Sequence, residues 1–178
     1  YKRIKEYQNS DKINIKKNTE NEDILAVIED YENEIKIYLE KTKTDDYTIR
    51  IKKEKNDIYF HSKYDPIKEA KRKVKEFKPQ KNEQIFSLGF GLGYQLKEIM
   101  KRNKFDKVII IEPFISVFYT ALNFVDLTPL FQKNNILYII EDKPSLFDVI
   151  KSYFSISLEK DFSFFEHSPS IKVFEKEY

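Results

Sequence analysis

Gln84-Ile85-Phe86-Ser87-Leu88-Gly89-Phe90-Gly91-Leu92-Gly93-Tyr94 holds all three glycines of a 178-residue chain. A sequence that uses glycine nowhere else, even in its turns, needs it here for a backbone reason. Without a Cβ, glycine takes positive φ and lets another backbone or a ligand come close. The apolar run Ile85–Leu88 leads in, and an amphipathic segment with Tyr94, Leu96, Ile99 and Met100 leads out. That order predicts strand, tight turn and helix, the opening of a Rossmann-like unit.

Downstream the pattern repeats. Residues 93–103 read as a helix. Val108-Ile109-Ile110-Ile111-Glu112 is a continuous β-branched run ending in an acid, as in a parallel strand buried on both faces. Ile115, Phe118, Ala121, Leu122 and Val125 mark the next helix, and Ile136–Ile140 a third strand. After Asp142-Lys143-Pro144, the residues Leu146, Val149, Ile150 and Tyr153 fall on one face of a third helix. Phe162–Phe165 is a candidate fourth strand, and residues 166–178 have little periodicity. Strands and helices in alternation with short connections predict a parallel sheet.

Upstream the period changes. Residues 1–23 are polar, with at most a weak helical pattern, and read as a lead-in segment. Ile24–Ile28 is a short apolar run, Glu34–Glu40 and Tyr47–Ile51 alternate with period two, and Ile58–Phe60 is a further short strand. Lys55-Asn56-Asp57 is read as a turn without glycine, because Asn and Asp tolerate the left-handed region. Asp65 is a good helix N-cap and Pro66 a good first helical residue. Ile67, Ala70, Val74 and Phe77 then mark one helical face, and Pro79 ends the helix. The fold class is therefore α/β: a Rossmann-like three-layer domain with a mainly parallel sheet, preceded by a small β-rich N-terminal subdomain. The expected divisions are 1–23 (lead-in), 24–60 (β-rich), 61–165 (Rossmann-like) and 166–178 (a tail leading toward a following domain).

Composition narrows the function classes. Hydrophobic residues make up 40% and aromatic residues 15%, enough for a core. Charge is high but balanced at net +2, which makes no case for nucleic acid. The basic helix face of Lys68, Lys71, Arg72, Lys73, Lys75 and Lys78 reads first as a solvated surface. No apolar run approaches the roughly 20 residues of a membrane span, and no signal peptide is visible, so a cytoplasmic location is expected. The absence of cysteine excludes disulfides, zinc–thiolate sites and thiol catalysis. Two distant histidines, His61 and His167, make no metal site. His61 reads as a residue that fixes a corner by hydrogen bonding, and His167, in the tail, as a surface residue. The chain begins at Tyr1 rather than Met and reads as a piece of a longer protein.

Ligands of open α/β sheets sit beyond the carboxyl ends of the strands. Gly89, Gly91 and Gly93 end the first strand and Glu112 ends the second, where a carboxylate can accept both hydroxyls of a ribose. Glu141 or Asp142 after the third strand could add a further acid. The ligand-binding candidates are thus Gly89, Gly91, Gly93, Glu112 and Asp142, facing a polar hollow. Tyr94 stands where the dinucleotide fingerprint wants glycine, which argues against NAD or FAD. The G-x-G-x-G spacing is similar to the first motif of class I methyltransferases, although Ser87 stands where those usually carry an acid. The competing reading is structural: the glycines let the helix approach the sheet, and Glu112 caps the helix that starts near Phe114.

Two stretches carry a more specific likeness. One is His61-Ser62-Lys63-Tyr64-Asp65-Pro66-Ile67-Lys68-Glu69-Ala70. The other is the glycine turn with Ile110-Ile111-Glu112-Pro113 and Leu122-Asn123-Phe124-Val125-Asp126-Leu127. Together they resemble the N-terminal domain of the Maf (motility accessory factor) glycosyltransferases, over residues 25–178. The resemblance makes His61, Ser62, Tyr64, Asp65 and Pro66 a structural signature. It implies a bacterial protein that adds nonulosonic acids, such as pseudaminic or legionaminic acid, from a CMP conjugate to Ser and Thr of flagellin. It also implies that transfer occurs in a following, sialyltransferase-like domain, so no catalytic residue is assigned here. Three functions follow: an accessory domain (scaffold, acceptor docking or binding of S-adenosylmethionine or a CMP-sugar), a small S-adenosylmethionine-dependent methyltransferase, or a non-catalytic interaction module. The partners implied are the following catalytic domain and flagellin. Phe162, Phe164, Phe165 and Phe174 either complete the sheet or cover a surface that meets that domain.

Overall fold

The computed structural model describes residues 13–17, 23–31, 34–53, 56–79, 84–102, 105–140 and 161–173. The first part is an antiparallel meander, β1-β2-β3-β4-β5: β1 Ile13–Lys17, β2 Ile24–Asp30, β3 Ile35–Lys41, β4 Tyr47–Lys53 and β5 Asn56–Tyr59. Its strands follow the period-two pattern. Ala26, Ile28, Ile37, Leu39, Ile49 and Ile51 point one way into the core, and the intervening residues are more exposed.

Two expectations are corrected in this sheet. Part of the lead-in segment is a strand: β1 pairs with β2 from Ile13↔Asp30 to Lys17↔Ala26. Ile13 and Ile15 alternate with Asn14 and Lys16, a pattern short enough to pass for an aperiodic stretch. Asn56 and Asp57 lie in β5 opposite Lys53 and Lys52, not in a turn. The side chain of Asp57 meets the Arg50 guanidinium at 3.4 Å, an opposite-charge cross-strand contact that suits a strand position.

Helix α1 (Pro66–Glu76) leads to the second sheet, β6 Gln84–Leu88, β7 Lys107–Glu112, β8 Ile136–Ile140 and β9 Phe162–Glu166. All four strands are parallel, in the order β8-β7-β6-β9. Between them lie α2 Tyr94–Arg102, α3 Ile115–Phe124 and the single turn α4 Thr128–Phe131. The last described element is α5 Ser168–Val173. The tail is thus partly helical, and the candidate fourth strand is present. The expected third helix, Glu141, Asp142 and Phe174 lie outside the described residues.

One core joins the two sheets. Ile28, Leu39 and Ile49 of the meander, Ala70 and Val74 of α1, Leu96 and Ile99 of α2, and Val108 and Ile110 of β7 belong to a single buried cluster. The other face of the parallel sheet carries Phe86, Leu88, Ile109 and Ile111. Burial on both faces is why Val108–Ile111 of β7 reads as an unbroken apolar run and why Ile85–Leu88 of β6 is interrupted only by Ser87. The chain builds from β6 outward through β7 to β8, then returns to the other side of β6 with β9. The carboxyl ends of β6 and β9 therefore flank the switch point of the sheet, where open α/β folds form their crevice.

Candidate functional site

The glycine turn stands at that switch point. Gly89, Gly91 and Gly93 have φ of 84°, 55° and 77°, in the region that side chains strain to adopt. Space imposes a second demand. A Cβ on Gly89 would lie 2.6 Å from Ser170 Cβ. One on Gly91 would lie 2.8 Å from His61 Nε2 and 2.9 Å from His167 Cε1. What comes close to this turn is the chain itself.

Four of the five backbone N–H groups of residues 89–93 donate to acceptors within the protein. Gly89 donates to Ile111 O (2.9 Å) and Gly93 to Phe90 O (3.0 Å). Phe90 donates to Glu112 Oε2 (2.8 Å) and Leu92 to His61 Nε2 (2.9 Å). The fifth, Gly91 N–H, is close enough to the Glu112 carboxylate to favour its charged form. A phosphate cradle needs such groups unpartnered; here four of the five are engaged within the chain.

Glu112 is fully buried at the end of β7. Its second oxygen accepts from Phe114 N (3.1 Å), so one carboxylate ties the glycine turn to the entry of α3. Burial raises its pKa to about 7 against the lowering effect of these backbone donors. Where a polar hollow facing Glu112 was expected, both carboxylate oxygens accept from backbone N–H groups of the same chain. This also explains why an acid is useful after a buried apolar strand.

His61 lies at the corner between the meander and α1. Thr48 Oγ1 donates to His61 O (2.8 Å) and accepts from His61 N (3.2 Å), which pins the corner to β4. Its ring stands edge-on to Tyr94, with centroids 5.0 Å apart, and 4.9 Å from the ring of His167. The rest of the signature builds the start of α1. Ser62 N donates to Glu69 Oε2 (2.8 Å), Ser62 Oγ accepts from Tyr64 N and Asp65 N, and Asp65 Oδ1 accepts from Lys68 N (2.7 Å). Pro66 is the first helical residue. Tyr64 is exposed, under the Lys43 ammonium at 4.7 Å. Asp65 is occupied as a cap, and the neighbours of the His61 ring are aromatic.

His167 is the residue whose position the sequence misled. It is 1% exposed, not a surface residue. Its N–H donates to Leu88 O (2.8 Å), extending the β6–β9 ladder past β9. Its Nε2 lies 3.0 Å from Phe60 O and its Nδ1 2.6 Å from Ser170 Oγ. Burial lowers its pKa to about 3. A signal for this was available: Pro169 two residues later marks a helix start, and a residue at a strand–helix junction beside a glycine turn has reason to be buried.

Two further polar side chains at this rim were not singled out by their sequence. Gln95, in the first turn of α2, and Ser116, in the first turn of α3, are buried, and neither side chain has a hydrogen-bond partner. No group of three His, Cys, Asp or Glu able to hold a metal occurs among the described residues. No helix among them is long and apolar enough to cross a membrane.

A family model described as the glycosyltransferase Maf N-terminal domain matches residues 5–156. The chain belongs to the Maf N-terminal domain family. It is similar in structure to the Maf glycosyltransferase from Magnetospirillum magneticum AMB-1, at 15% identity and a TM-score of 0.48, covering 99% of this chain and 31% of that one. It is also similar to spermidine synthase from Thermotoga maritima, at 17% identity and a TM-score of 0.47, covering 60% of this chain and 37% of that one. The Maf N-terminal domain described here thus spans about a third of the length of these solved proteins. No curated protein is significantly similar to the chain.

Proposed function

We propose that this chain is the accessory N-terminal domain of a cytoplasmic Maf glycosyltransferase that modifies flagellin with nonulosonic acids. In this reading the domain is a Rossmann-like three-layer scaffold that docks the acceptor and supports a following catalytic domain. The observation that supports it best is the filled glycine turn: the place where a Rossmann-like unit grips its cofactor is occupied by His61, His167 and Ser170. The test uses the full-length enzyme with flagellin and a CMP-nonulosonic acid. Deleting this domain should abolish sugar transfer to flagellin and flagellin binding, yet leave slow hydrolysis of the CMP-sugar. Undiminished flagellin binding by the truncated enzyme would reject the docking role.

A second reading is binding of S-adenosylmethionine or a CMP-sugar at the rim. The unpartnered side chains of Gln95 and Ser116, in the first turns of α2 and α3, favour it, because buried polar groups normally have partners. A ligand at 100 times its dissociation constant should add about 2.7 kcal/mol of stability. A thermal shift with S-adenosylhomocysteine that is lost in Glu112→Ala would favour this reading, and the methyltransferase with it.

A further inference from the structure

The two buried histidines sit ring to ring, and their hydrogen bonds fix where each proton is. A carbonyl oxygen only accepts, so His167 Nε2 carries a proton and donates to Phe60 O. His167 Nδ1 must then accept, and it does so from Ser170 Oγ (2.6 Å) and Ser170 N (3.3 Å), the latter capping α5. For His61 the assignment is reversed. Nε2 accepts from Leu92 N–H, so the proton is on Nδ1, a buried atom with no partner. The two neutral rings are opposite tautomers, each with its one basic nitrogen already in use.

A second proton on either ring therefore has nowhere to go without breaking a contact. On His167 Nδ1 it faces the Ser170 backbone N–H and uncaps α5, even though the Ser170 hydroxyl can rotate to accept it. On His61 it faces Leu92 N–H and opens the glycine turn. The surroundings offer no compensation. The charged group acting on both rings is Lys73 of α1, whose sign opposes a proton. From α2 the neighbour of His61 is the Tyr94 ring. Glu112 of β7 is engaged by Phe90 N and Phe114 N, and Glu69 of α1 by Ser62 N.

We infer that His61 and His167 form an acid-sensitive latch that holds α5 and the glycine turn together only while both rings are neutral, so that taking up a proton releases α5 from the switch point. The segment released is the last described part of the chain, and its departure uncovers Gly89 and Gly91. If opening frees one histidine to its ordinary pKa of 6.5, the open form gains about ten-fold between pH 7.5 and 5.5; freeing both gains about a hundred-fold.

Amide hydrogen exchange on the 178-residue chain, expressed as protection factors to remove the intrinsic pH effect, measures this directly. Protection of residues 168–173 and of Leu92 should fall ten- to a hundred-fold from pH 7.5 to 5.5, while β2–β4 stay unchanged. The same fall should vanish in His61→Gln/His167→Gln. Protection of α5 that is constant with pH, or a fall that persists in the double variant, overturns the latch. Should that variant fail to fold, imidazole ¹⁵N shifts of the wild-type chain decide. Opposite tautomers at pH 7.5 that gain charge only as α5 loses protection support the latch. Either ring charging near pH 6.5 with α5 still protected overturns it.

Discussion

Two strand-to-helix corners stand side by side at the carboxyl end of the parallel sheet, and they are built differently. From β6 to α2 the chain turns through Gly89–Gly93 with three positive φ values. From β7 to α3 it turns through Pro113 and Phe114, and Phe114 keeps ordinary extended backbone at φ −109°. Both corners join a buried parallel strand to a helix, so that task alone does not call for glycine. The first corner differs in what lies against it: His61, His167 and Ser170, at distances no Cβ could share. The glycines are a record of their neighbours. Glu112 links the two corners, accepting from Phe90 N at one and Phe114 N at the other.

The sharpest way to break this comparison is Gly91→Val. It combines positive-φ strain with collision against two buried rings, and should cost about 3–5 kcal/mol in urea unfolding. Wild-type stability in that variant would mean that the close approach is not what selects glycine. Next is Glu112→Ala, which strands backbone N–H groups of both corners. At about 1–3 kcal/mol per buried unsatisfied donor, the expected loss is about 3 kcal/mol or more. A loss below about 1 kcal/mol would show that the carboxylate is not the tie between the corners.

Acid should act on the same feature. Below pH 6.5 the unfolded chain protonates both imidazoles while the folded chain keeps them neutral, because burial holds both pKa values down. Glu112 works the other way. Its folded pKa of about 7, against an ordinary 4.5, gives stability that is complete below pH 4.5 and lost as pH rises through 7. Between pH 4.5 and 6.5 the unfolded state thus binds two protons more at the histidines and one fewer at the glutamate. From these groups stability rises with pH at about 1.4 kcal/mol per unit and peaks near pH 6.5–7. A flat profile across that window would contradict the neutral pair; Glu112→Gln should steepen the slope. The smallest effect belongs to a corner with neither device. Asp65→Ala at the start of α1 removes a single cap and should cost about 1 kcal/mol in thermal unfolding.

Most of the fold was legible because burial imposes period. Alternation in Glu34–Glu40 and Tyr47–Ile51 marked strands with one face in the core, and the unbroken Val108–Ile111 run marked a strand covered on both faces. Asp65-Pro66 marked a helix start because capping is local chemistry. The glycine cluster marked an unusual turn for the right backbone reason. What it could not disclose was the identity of the close neighbour, since His167 lies far away in sequence and reaches Gly91 only through the β6–β9 pairing. The same holds for Glu112, whose position was legible and whose partners were not. Residues 13–17 were missed because five residues of weak alternation look alike in a strand and in a solvated segment.

The strand order has a practical consequence. β6 is an inner strand, yet its second neighbour is the last described strand, so a nascent chain holds an open edge and an unfilled turn until residues beyond 166 have emerged from the ribosome. An expression boundary drawn at residue 156, where the family match stops, would produce that unfinished state permanently: β9, the capping serine and one of the two imidazoles would all be left behind.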